Sequence, residues 1–279
     1  MTEASALPGQ PVLLTPAPTR VVGILNVTPD SFSDGGLYVD VETAVAHGLK
    51  LAAEGAALVD VGGESTRPGA IRVDAATELA RVLPIVTRLA EAGVAVSVDT
   101  MRAEVAARCV EAGAVVINDV SGGLADPEML STIAGLGCVY VAMHWRAHST
   151  EMNDHASYDD VVADVVSELM GRVRAAVAAG IEPDRLVLDP GLGFAKTGDQ
   201  NWELLRGIEA IHGIGLPVLW GASRKRMLAD LVAGEPAARD DASVAITTWL
   251  AERGAWGVRT HTVAPHVTAV AIATRLGQR

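Results

Sequence analysis

The chain has 279 residues, of which 49% are hydrophobic and 20% are charged, and its formal net charge is −12 at pH 7. This acidic balance argues against general affinity for nucleic acid or for anionic membrane surfaces. The length is typical of a single (β/α)₈ barrel and does not require two domains.

The ends and the cysteines of the chain concern its location in the cell. Residues 1–19 contain Glu3 and several prolines and have no basic start followed by an apolar core. They predict a loose tail, not a signal peptide, ahead of one barrel domain over residues 20–279. No apolar run approaches membrane-spanning length. Cys109 and Cys138 are isolated, as expected of two buried thiols in a reducing compartment, so we expect a cytoplasmic protein.

Short apolar segments and amphipathic segments alternate along the chain. The first segment, residues 21–25, is rich in β-branched residues and runs into a polar loop closed by Gly35 and Gly36. Seven further strands are predicted at residues 57–63, 95–100, 115–123 (with a turn), 139–144, 186–190, 217–223 and 257–262. Helical spacing predicts helices at residues 41–56 (with Asp40 as N-cap), 74–93, 102–113, 127–136, 158–180, 200–211, 226–233, 241–253 and 264–276.

Eight strands alternating with helices indicate an α/β fold. We predict a single (β/α)₈ TIM barrel with its active site at the C-terminal ends of the strands. The alternative is a doubly wound open sheet, which strand alternation alone does not exclude.

Unusual polar residues occur at or just after the strand ends, whereas the links from helix to strand are plain. Each of these residues alone could cap a helix or form a turn, but together they predict one ligand-binding site. They are Asn26, Asp60, Asp99, Asn118, His144, Asp189, Ser223, Lys225, Arg259 and His261.

The residue types suggest more than one ligand. Asp99, Asn118 and Asp189 could provide general acid–base groups, bind a metal, or accept N–H bonds from a planar, guanidine-like heterocycle. Arg259 and His261, two residues apart on a strand, point the same way and with Asn26 would suit a phosphate. Alternatively, the arginine and histidine could simply pair with neighbouring carboxylates.

The aromatic residues and the remaining histidines leave two further interpretations. Phe32 and Phe194 are the two phenylalanines of the chain, and both fall in glycine-rich loops just after strands. We expect them to flank a flat substrate, although they could serve only to anchor the loops. A zinc site at His144, His148 and His155 is not favoured, because the spacing crosses a loop without cysteine.

Seven segments resemble the successive signatures of the dihydropteroate synthase family. They are NVTPDSFSDGG, DVGGESTRPGA, SVDT, INDVSGG, LDPGLGFAK, GASRK and the R-x-H of VRTHT, and they follow the family's order from residue 21 to residue 262. The family's fold is the (β/α)₈ barrel. The resemblance implies condensation of 6-hydroxymethyl-7,8-dihydropterin pyrophosphate with 4-aminobenzoate to give 7,8-dihydropteroate and pyrophosphate, through loss of pyrophosphate and a pterin cation.

The resemblance also implies roles for individual residues. The pterin would be held by Asp99, Asn118, Met143, Asp189, Phe194, Gly221 and Lys225. Pyrophosphate would be held by Asn26, Arg259 and His261, with Asn26 also contacting Mg²⁺. The 4-aminobenzoate would lie among Phe32, Ser33, Thr66, Pro68 and Ser223. The catalytic group would comprise Asp99, Asp34, Arg67 and Lys225, of which Asp34 and Arg67 would close over the reacting centre.

Further expectations concern motion and assembly. The glycine- and proline-containing loops after the first two strands would be mobile lids that exclude water. The resemblance suggests a homodimer formed through the last helices, and a target of sulfonamides.

Two other functions share the pterin residues. One is a folate-dependent methyltransferase of the same barrel family, which has no evident use for Arg259, His261 and the segment Thr66–Arg67–Pro68. The other is a non-catalytic pterin-binding paralogue, against which the intact SFSDGG and ESTRPG segments argue.

Overall fold

Eight parallel strands close into a barrel in the computed structural model, which describes residues 12–14, 17–28 and 37–277. Around the sheet the strands run in the order β6-β5-β4-β3-β2-β1-β8-β7. The strands are β1 Arg20–Asn26, β2 Leu58–Gly62, β3 Val96–Asp99, β4 Val116–Asp119, β5 Val139–Met143, β6 Leu186–Asp189, β7 Leu219–Trp220 and β8 Gly257–Thr260. A parallel bridge between Leu188 and Val218 joins β6 to the start of β7, and the Leu188 N–H donates to the Pro217 carbonyl at 2.8 Å. The predicted barrel is confirmed.

Helices connect the strands and cover the outside of the barrel. They are α1 Leu37–Ala53, α2 Ala75–Glu91, α3 Ala103–Glu111, α4 Met129–Leu136, α5 Val161–Ala178, α6 Gly198–Arg206, α7 Ile208–His212, α8 Asp240–Glu252 and α9 Val263–Gly277. Side chains cap three of them: Asp74 accepts from the N–H of Thr77, Asp160 caps α5, and Thr197 forms a capping box with Gln200. These caps define where the three helices begin.

Local structure departs from the sequence prediction in four places. The helix α1 begins at Leu37, so Asp40 lies inside it and is not its N-cap. The helix predicted over residues 200–211 is two helices separated at Gly207, where a Cβ would lie 2.6 Å from Val162 of α5. Residues 226–233 form a 3₁₀ turn only at Arg226–Leu228. The strand β7 is two residues long, because Pro217 cannot donate to the ladder and the chain turns away after Trp220.

The barrel interior is filled by one face of the strands. This apolar cluster consists of Leu14, Val22, Leu58, Val116, Val139, Val141, Val187, Leu219 and Trp256. The other face packs against the helices in a larger core that is built mostly from valine, leucine, isoleucine and alanine. Because this cluster fills the barrel toward the N-terminal ends of its strands, a ligand can bind only toward their C-terminal ends.

Part of the segment predicted to be a loose tail belongs to the interior cluster. Val12–Leu14 forms a 3₁₀ turn, and Leu14 is 7% exposed. The indole Nε1 of Trp256 donates to the Leu13 carbonyl at 3.0 Å. The turn therefore closes the N-terminal end of the barrel, and the barrel's packing extends beyond the predicted boundary at residue 20.

The cysteines are buried and unpaired, as predicted. Burial raises the pKa of Cys109 to about 12 and that of Cys138 to about 11, so both are thiols at neutral pH. Within the described ranges, no helix combines the length and the apolar character that crossing a bilayer requires.

Replacing Leu14 by alanine should destabilise the fold, because it removes buried methyl groups that the rigid strands cannot replace. We expect a loss of about 2 kcal/mol or more in the free energy of unfolding, measured as a lower urea midpoint. Leu231, which is 69% exposed, supplies a matched leucine-to-alanine control with an expected effect below about 0.5 kcal/mol. Equal shifts in the two variants would contradict the proposed role of the turn.

Candidate active site

Three polar residues and one glycine, near the ends of four adjacent strands, lie in one continuous row. Asn26 of β1 pairs with Gly62 of β2, Gly62 with Asp99 of β3, and Asp99 with Asn118 of β4. Residues paired across parallel strands share a face of the sheet, so this row faces the barrel opening. A Cβ on Gly62 would lie 3.7 Å from Asn26 Oδ1 and 3.8 Å from Asp99 Oδ2. The glycine therefore leaves room between two oxygen-bearing side chains.

Asp60 and Arg259 connect this row from beneath. Asp60 is fully buried two residues before Gly62, and its Oδ2 accepts from Asn118 Nδ2 at 3.0 Å and from Arg259 Nε at 2.6 Å. Arg259 Nη2 also donates to Asp99 Oδ2 at 2.8 Å. Asp60 is among the strand-end residues of the sequence, but the sequence assigned it no role. Its position as a shared acceptor arises from contacts between distant strands.

Burial and ion pairing shift the pKa values of these groups in a consistent way. Burial raises the pKa of Asp99 to about 7; Arg259 acts in the opposite direction, and Asp60 adds to the increase. Burial also lowers the pKa of Arg259, but Asp60 and Asp99 more than offset this, and its pKa is raised. The guanidinium therefore stays charged. Its contacts with the carboxylates use two of its five N–H donors.

Asp189, Phe194 and Lys225 lie on the opposite part of the opening. Asp189 ends β6, and its Oδ1 accepts from the N–H of Gly191 at 2.7 Å. Lys225 Nζ lies 4.4 Å from the centroid of the Phe194 ring. Burial raises the pKa of Asp189 and lowers that of Lys225 to about 8. This part of the site thus combines a buried carboxylate, an aromatic face and an ammonium.

An apolar wall adjoins these polar groups. Met143, at the end of β5, packs with Met101 and Val120, and the partly buried Ala125, Trp145 and Phe194 complete the cluster. The sequence singled out Met143 and Phe194. Met101 directly follows the signature SVDT and Val120 lies within INDVSGG, but the sequence assigned neither residue a role. Gly221, just after β7, has open space where a Cβ would lie.

Ser223 and His261 are in direct contact. Ser223 Oγ lies 3.0 Å from His261 Nδ1 and accepts from the His261 N–H at 3.3 Å. Burial lowers the pKa of His261 to about 3, with a further lowering from Arg224 and Arg259, so the imidazole is neutral at physiological pH. Of the predicted phosphate-binding pair, only Arg259 carries a charge.

The β2–α2 loop, residues 63–74, is anchored at both ends. Glu64 accepts from Arg72 Nε at 3.0 Å, from Arg102 Nη1 at 2.8 Å and from the Val73 N–H at 3.3 Å. At its tip, the Gly69 N–H donates to the Ser149 carbonyl at 2.8 Å. The segment around Thr66, Arg67 and Pro68 projects outward, with Arg67 and Pro68 exposed, and Ile71 further along the loop is 84% exposed. Phe32, Ser33 and Asp34 lie outside the described residues.

His144, His148 and His155 lie in different surroundings. His144 contacts Glu168 and Lys196, while His148 and His155 lie on the following loop. Among the described residues no group of three or more His, Cys, Asp or Glu side chains is arranged to hold a metal. The Asn26 amide oxygen and the Asp99 carboxylate both lie close to Gly62, and oxygens of these two kinds are ligands that Mg²⁺ accepts.

Comparison with known proteins gives a consistent result. The family model described as pterin binding enzyme matches residues 22–261. A dihydropteroate synthase from Mycobacterium leprae is 52% identical over 263 residues, covering 92% of this chain and 93% of that protein.

Solved structures agree with this relationship. The Xanthomonas albilineans dihydropteroate synthase with 4-aminobenzoic acid is 45% identical, covers 95% of both chains and superposes with a TM-score of 0.88. The same enzyme in complex with 7,8-dihydropteroate gives 42% identity, 97% coverage of both chains and a TM-score of 0.86. The chain therefore belongs to the pterin binding enzyme family and, within it, to the dihydropteroate synthases.

Proposed function

We propose that this protein condenses 6-hydroxymethyl-7,8-dihydropterin pyrophosphate with 4-aminobenzoate at the barrel opening, giving 7,8-dihydropteroate and pyrophosphate. The observation that carries the proposal is the pair of buried carboxylates, Asp99 and Asp189, at one end of the barrel. Buried carboxylates are costly unless N–H donors meet them. Asp99 already accepts from Arg259, and a pterin, with a guanidine-like edge on a flat ring, would supply such donors to Asp189.

Asn118 and Asp189 would bind the edge of the pterin. Because Asn118 Nδ2 donates to Asp60, its Oδ1 remains to accept an N–H group of the ring. Asp189 Oδ1 accepts from Gly191, so Oδ2 is the atom left for the ligand. Lys225 would donate to the ring carbonyl and nitrogen acceptors. Met143, Phe194 and Gly221 would provide the apolar surface and the space for the ring.

Arg259, His261 and Asn26 would hold the pyrophosphate. Arg259 has donors beyond those given to Asp60 and Asp99, and the neutral His261 can donate one hydrogen bond. When bound beside Asn26, Mg²⁺ would supply positive charge to the phosphate oxygens. Since the contact between Ser223 and His261 is direct, the pyrophosphate and 4-aminobenzoate sites would be adjacent.

The 4-aminobenzoate would occupy the outer part of the opening. Thr66, Pro68 and Ser223 would shape its site together with Phe32 and Ser33, and Arg67 and Asp34 would close over the reacting atoms. Because contacts with Glu64 fix the ends of the β2–α2 loop, closure would be confined to the segment around Arg67 and would break the Gly69–Ser149 hydrogen bond.

Asp99 would act during bond cleavage. The bond between the pterin methylene carbon and the pyrophosphate oxygen breaks, and both electrons leave with pyrophosphate. The positive charge that remains on the methylene spreads into the ring, where the fixed carboxylate of Asp99 stabilises it. The amine of 4-aminobenzoate then forms the C–N bond and releases one proton. A weak nucleophile suffices because the electrophile is already a cation.

The direct test is pyrophosphate release from the purified chain with the dihydropterin pyrophosphate and Mg²⁺, with and without 4-aminobenzoate. We expect release that depends on 4-aminobenzoate and yields dihydropteroate, that falls when EDTA removes Mg²⁺, and that a sulfonamide inhibits competitively with 4-aminobenzoate.

Two outcomes of this assay would contradict the proposal. Pterin binding without turnover would indicate the non-catalytic paralogue. Methyl transfer from a folate to a corrinoid protein, without pyrophosphate chemistry, would indicate the methyltransferase.

Replacing Asp99 by asparagine should lower kcat/KM by about 10²-fold or more, because the charge that stabilises the cation is lost. With a pKa of about 7, Asp99 is protonated as the pH falls below 7, so kcat/KM of the unmodified enzyme should decrease on that side. This acidic limb should disappear in the variant. Asp184→Asn, at an exposed position, is the control. Near-normal turnover by the Asp99→Asn variant would refute the role of Asp99 in stabilising the pterin cation.

Replacing Arg259 by lysine should weaken product inhibition by pyrophosphate about 10-fold or more, because an ammonium cannot reproduce the guanidinium fork that reaches Asp60, Asp99 and a phosphate. Inhibition constants for pyrophosphate measure this effect. The exposed Arg206→Lys variant controls for the loss of an arginine elsewhere. An unchanged inhibition constant would move the pyrophosphate site away from Arg259.

We further propose a homodimer formed through α9, in the cytoplasm. Ile272 and Leu276, one turn apart on α9, are 51% and 63% exposed and give this helix an outward apolar face. The two unpaired thiols support a reducing compartment. Light scattering of the purified chain measures its molar mass, and we expect the mass of a dimer. A molar mass equal to that of a monomer at all protein concentrations would contradict the proposed dimer.

A further inference from the structure

Lys196 is a buried lysine in the β6–α6 loop (residues 190–197) whose hydrogen bonds are all internal, and burial lowers the pKa of its ammonium to about 7. It is 8% exposed, and its Nζ contacts His144 Nδ1 at 3.0 Å, the Gly191 carbonyl at 3.1 Å and the Phe194 carbonyl at 3.1 Å. An ammonium has three N–H donors, and these three acceptors use all of them. Lys196 therefore has no donor left for a substrate.

His144 fixes this ammonium from the end of β5. Burial lowers the pKa of His144 to about 4, so the ring is neutral and Nδ1 can accept from Lys196. The proton then lies on Nε2, which donates to Glu168 Oε2 at 2.9 Å. Arg146 binds the same carboxylate from the other side. The result is a fixed chain of contacts from Lys196 through a neutral imidazole to α5.

The carbonyls that Lys196 binds belong to the segment that shapes the pterin site. Gly191, whose carbonyl accepts from Lys196, donates its N–H to Asp189 Oδ1. Phe194, whose carbonyl also accepts from Lys196, provides the ring beneath the Lys225 ammonium. A Cβ on Gly193 would lie 2.9 Å from Lys225 Cδ, so the loop backbone directly supports Lys225.

The backbone of the loop also needs support. Ala195, immediately before Lys196, has φ of 48°, which is unfavourable for a residue with a side chain. A Cβ on Gly191 would lie 2.5 Å from the His144 carbonyl, so the loop is pressed against β5. Such a conformation persists only when surrounding contacts hold it, and the bonds of Lys196 supply several of them.

We propose that Lys196 is a positioning residue for pterin recognition: through Gly191, Phe194 and His144 it holds the β6–α6 loop in the form that presents Asp189, Phe194 and Lys225 to the ring. This inference rests on the proposed pterin-binding role of those three residues. It assigns Lys196 no contact with the substrate or with the reacting atoms.

The first test is Lys196→Met, which keeps the length of the side chain and removes its donors. We expect KM for the dihydropterin pyrophosphate to rise about 10-fold or more, since small displacements of positioned groups carry such effects, while KM for 4-aminobenzoate changes by less than about 2-fold. Leu14→Ala, which weakens the barrel far from this loop, is the control for lost stability and should leave both KM values unchanged. A general loss of both affinities in Lys196→Met would contradict the proposal.

The second test separates the acceptor at His144 from its bulk. His144→Asn places an amide oxygen where Nδ1 lies and should retain most of the pterin affinity, whereas His144→Leu should lose it to a similar extent as Lys196→Met. In the double variant of Lys196→Met with His144→Leu, the loss should be no greater than in either single variant, because both remove one contact. Additive losses, or equal effects of the asparagine and leucine variants, would overturn the proposal.

Asp189→Asn distinguishes failure of this inference from failure of the proposed function. If Asp189→Asn weakens pterin binding and Lys196→Met does not, the pterin site stands and the role of Lys196 is refuted. If neither substitution alters pterin binding, the pterin site itself is misplaced and the inference falls with it.

Discussion

The ion pairs of Arg259 with Asp60 and Asp99 are the interactions on which the barrel opening depends. Two carboxylates and an amide are crowded at the ends of β2, β3 and β4, and a single guanidinium from β8 reaches the two acids. Removing one member would leave a buried charge uncompensated, which is more costly than never having buried it. This arrangement also connects β8 to β3 across two intervening strands and so fixes the geometry of one half of the site.

The other half depends on a separate set of contacts. Lys196, His144 and Glu168 hold the β6–α6 loop from behind, and Asp240 holds the turn that carries Arg224 and Lys225 by a two-point bond to the Arg224 guanidinium. Neither the contacts of Lys196 nor those of Asp240 point toward the barrel opening. Hydrogen-bonded and charged side chains outside the opening, some buried and some partly exposed, therefore hold the backbone beneath the substrate-facing groups, as preorganised sites require.

Sequence patterns predict the local structure of this protein but not the contacts between residues that are far apart in the chain. The strands and their polar ends were predictable because a buried β-strand followed by Asp, Asn or His is a local pattern. The shared contacts of Asp60 were not predictable, because its partner Arg259 is 199 residues away along the chain. The break in the predicted helix at Gly207 follows from the close approach of Val162. For Arg259 the sequence left two arrangements open, and the structure shows both: the side chain pairs with carboxylates and lies at the barrel opening. Lys196 ends the signature LDPGLGFAK, but the resemblance assigned it no role, and its importance appears only when its three acceptors are seen together.

The 3₁₀ turn at Val12–Leu14 has a consequence for where this protein can be divided. A domain boundary chosen at residue 20, where the first strand begins, would discard a leucine from the barrel's own interior and the carbonyl that satisfies the Trp256 indole. The N-terminal end of the barrel would then expose apolar side chains and an unpaired Trp256 indole N–H to water, and exposed apolar surfaces of this kind favour aggregation. The smallest self-sufficient unit of this fold therefore begins before its first strand, at a turn that carries none of the family's sequence signatures.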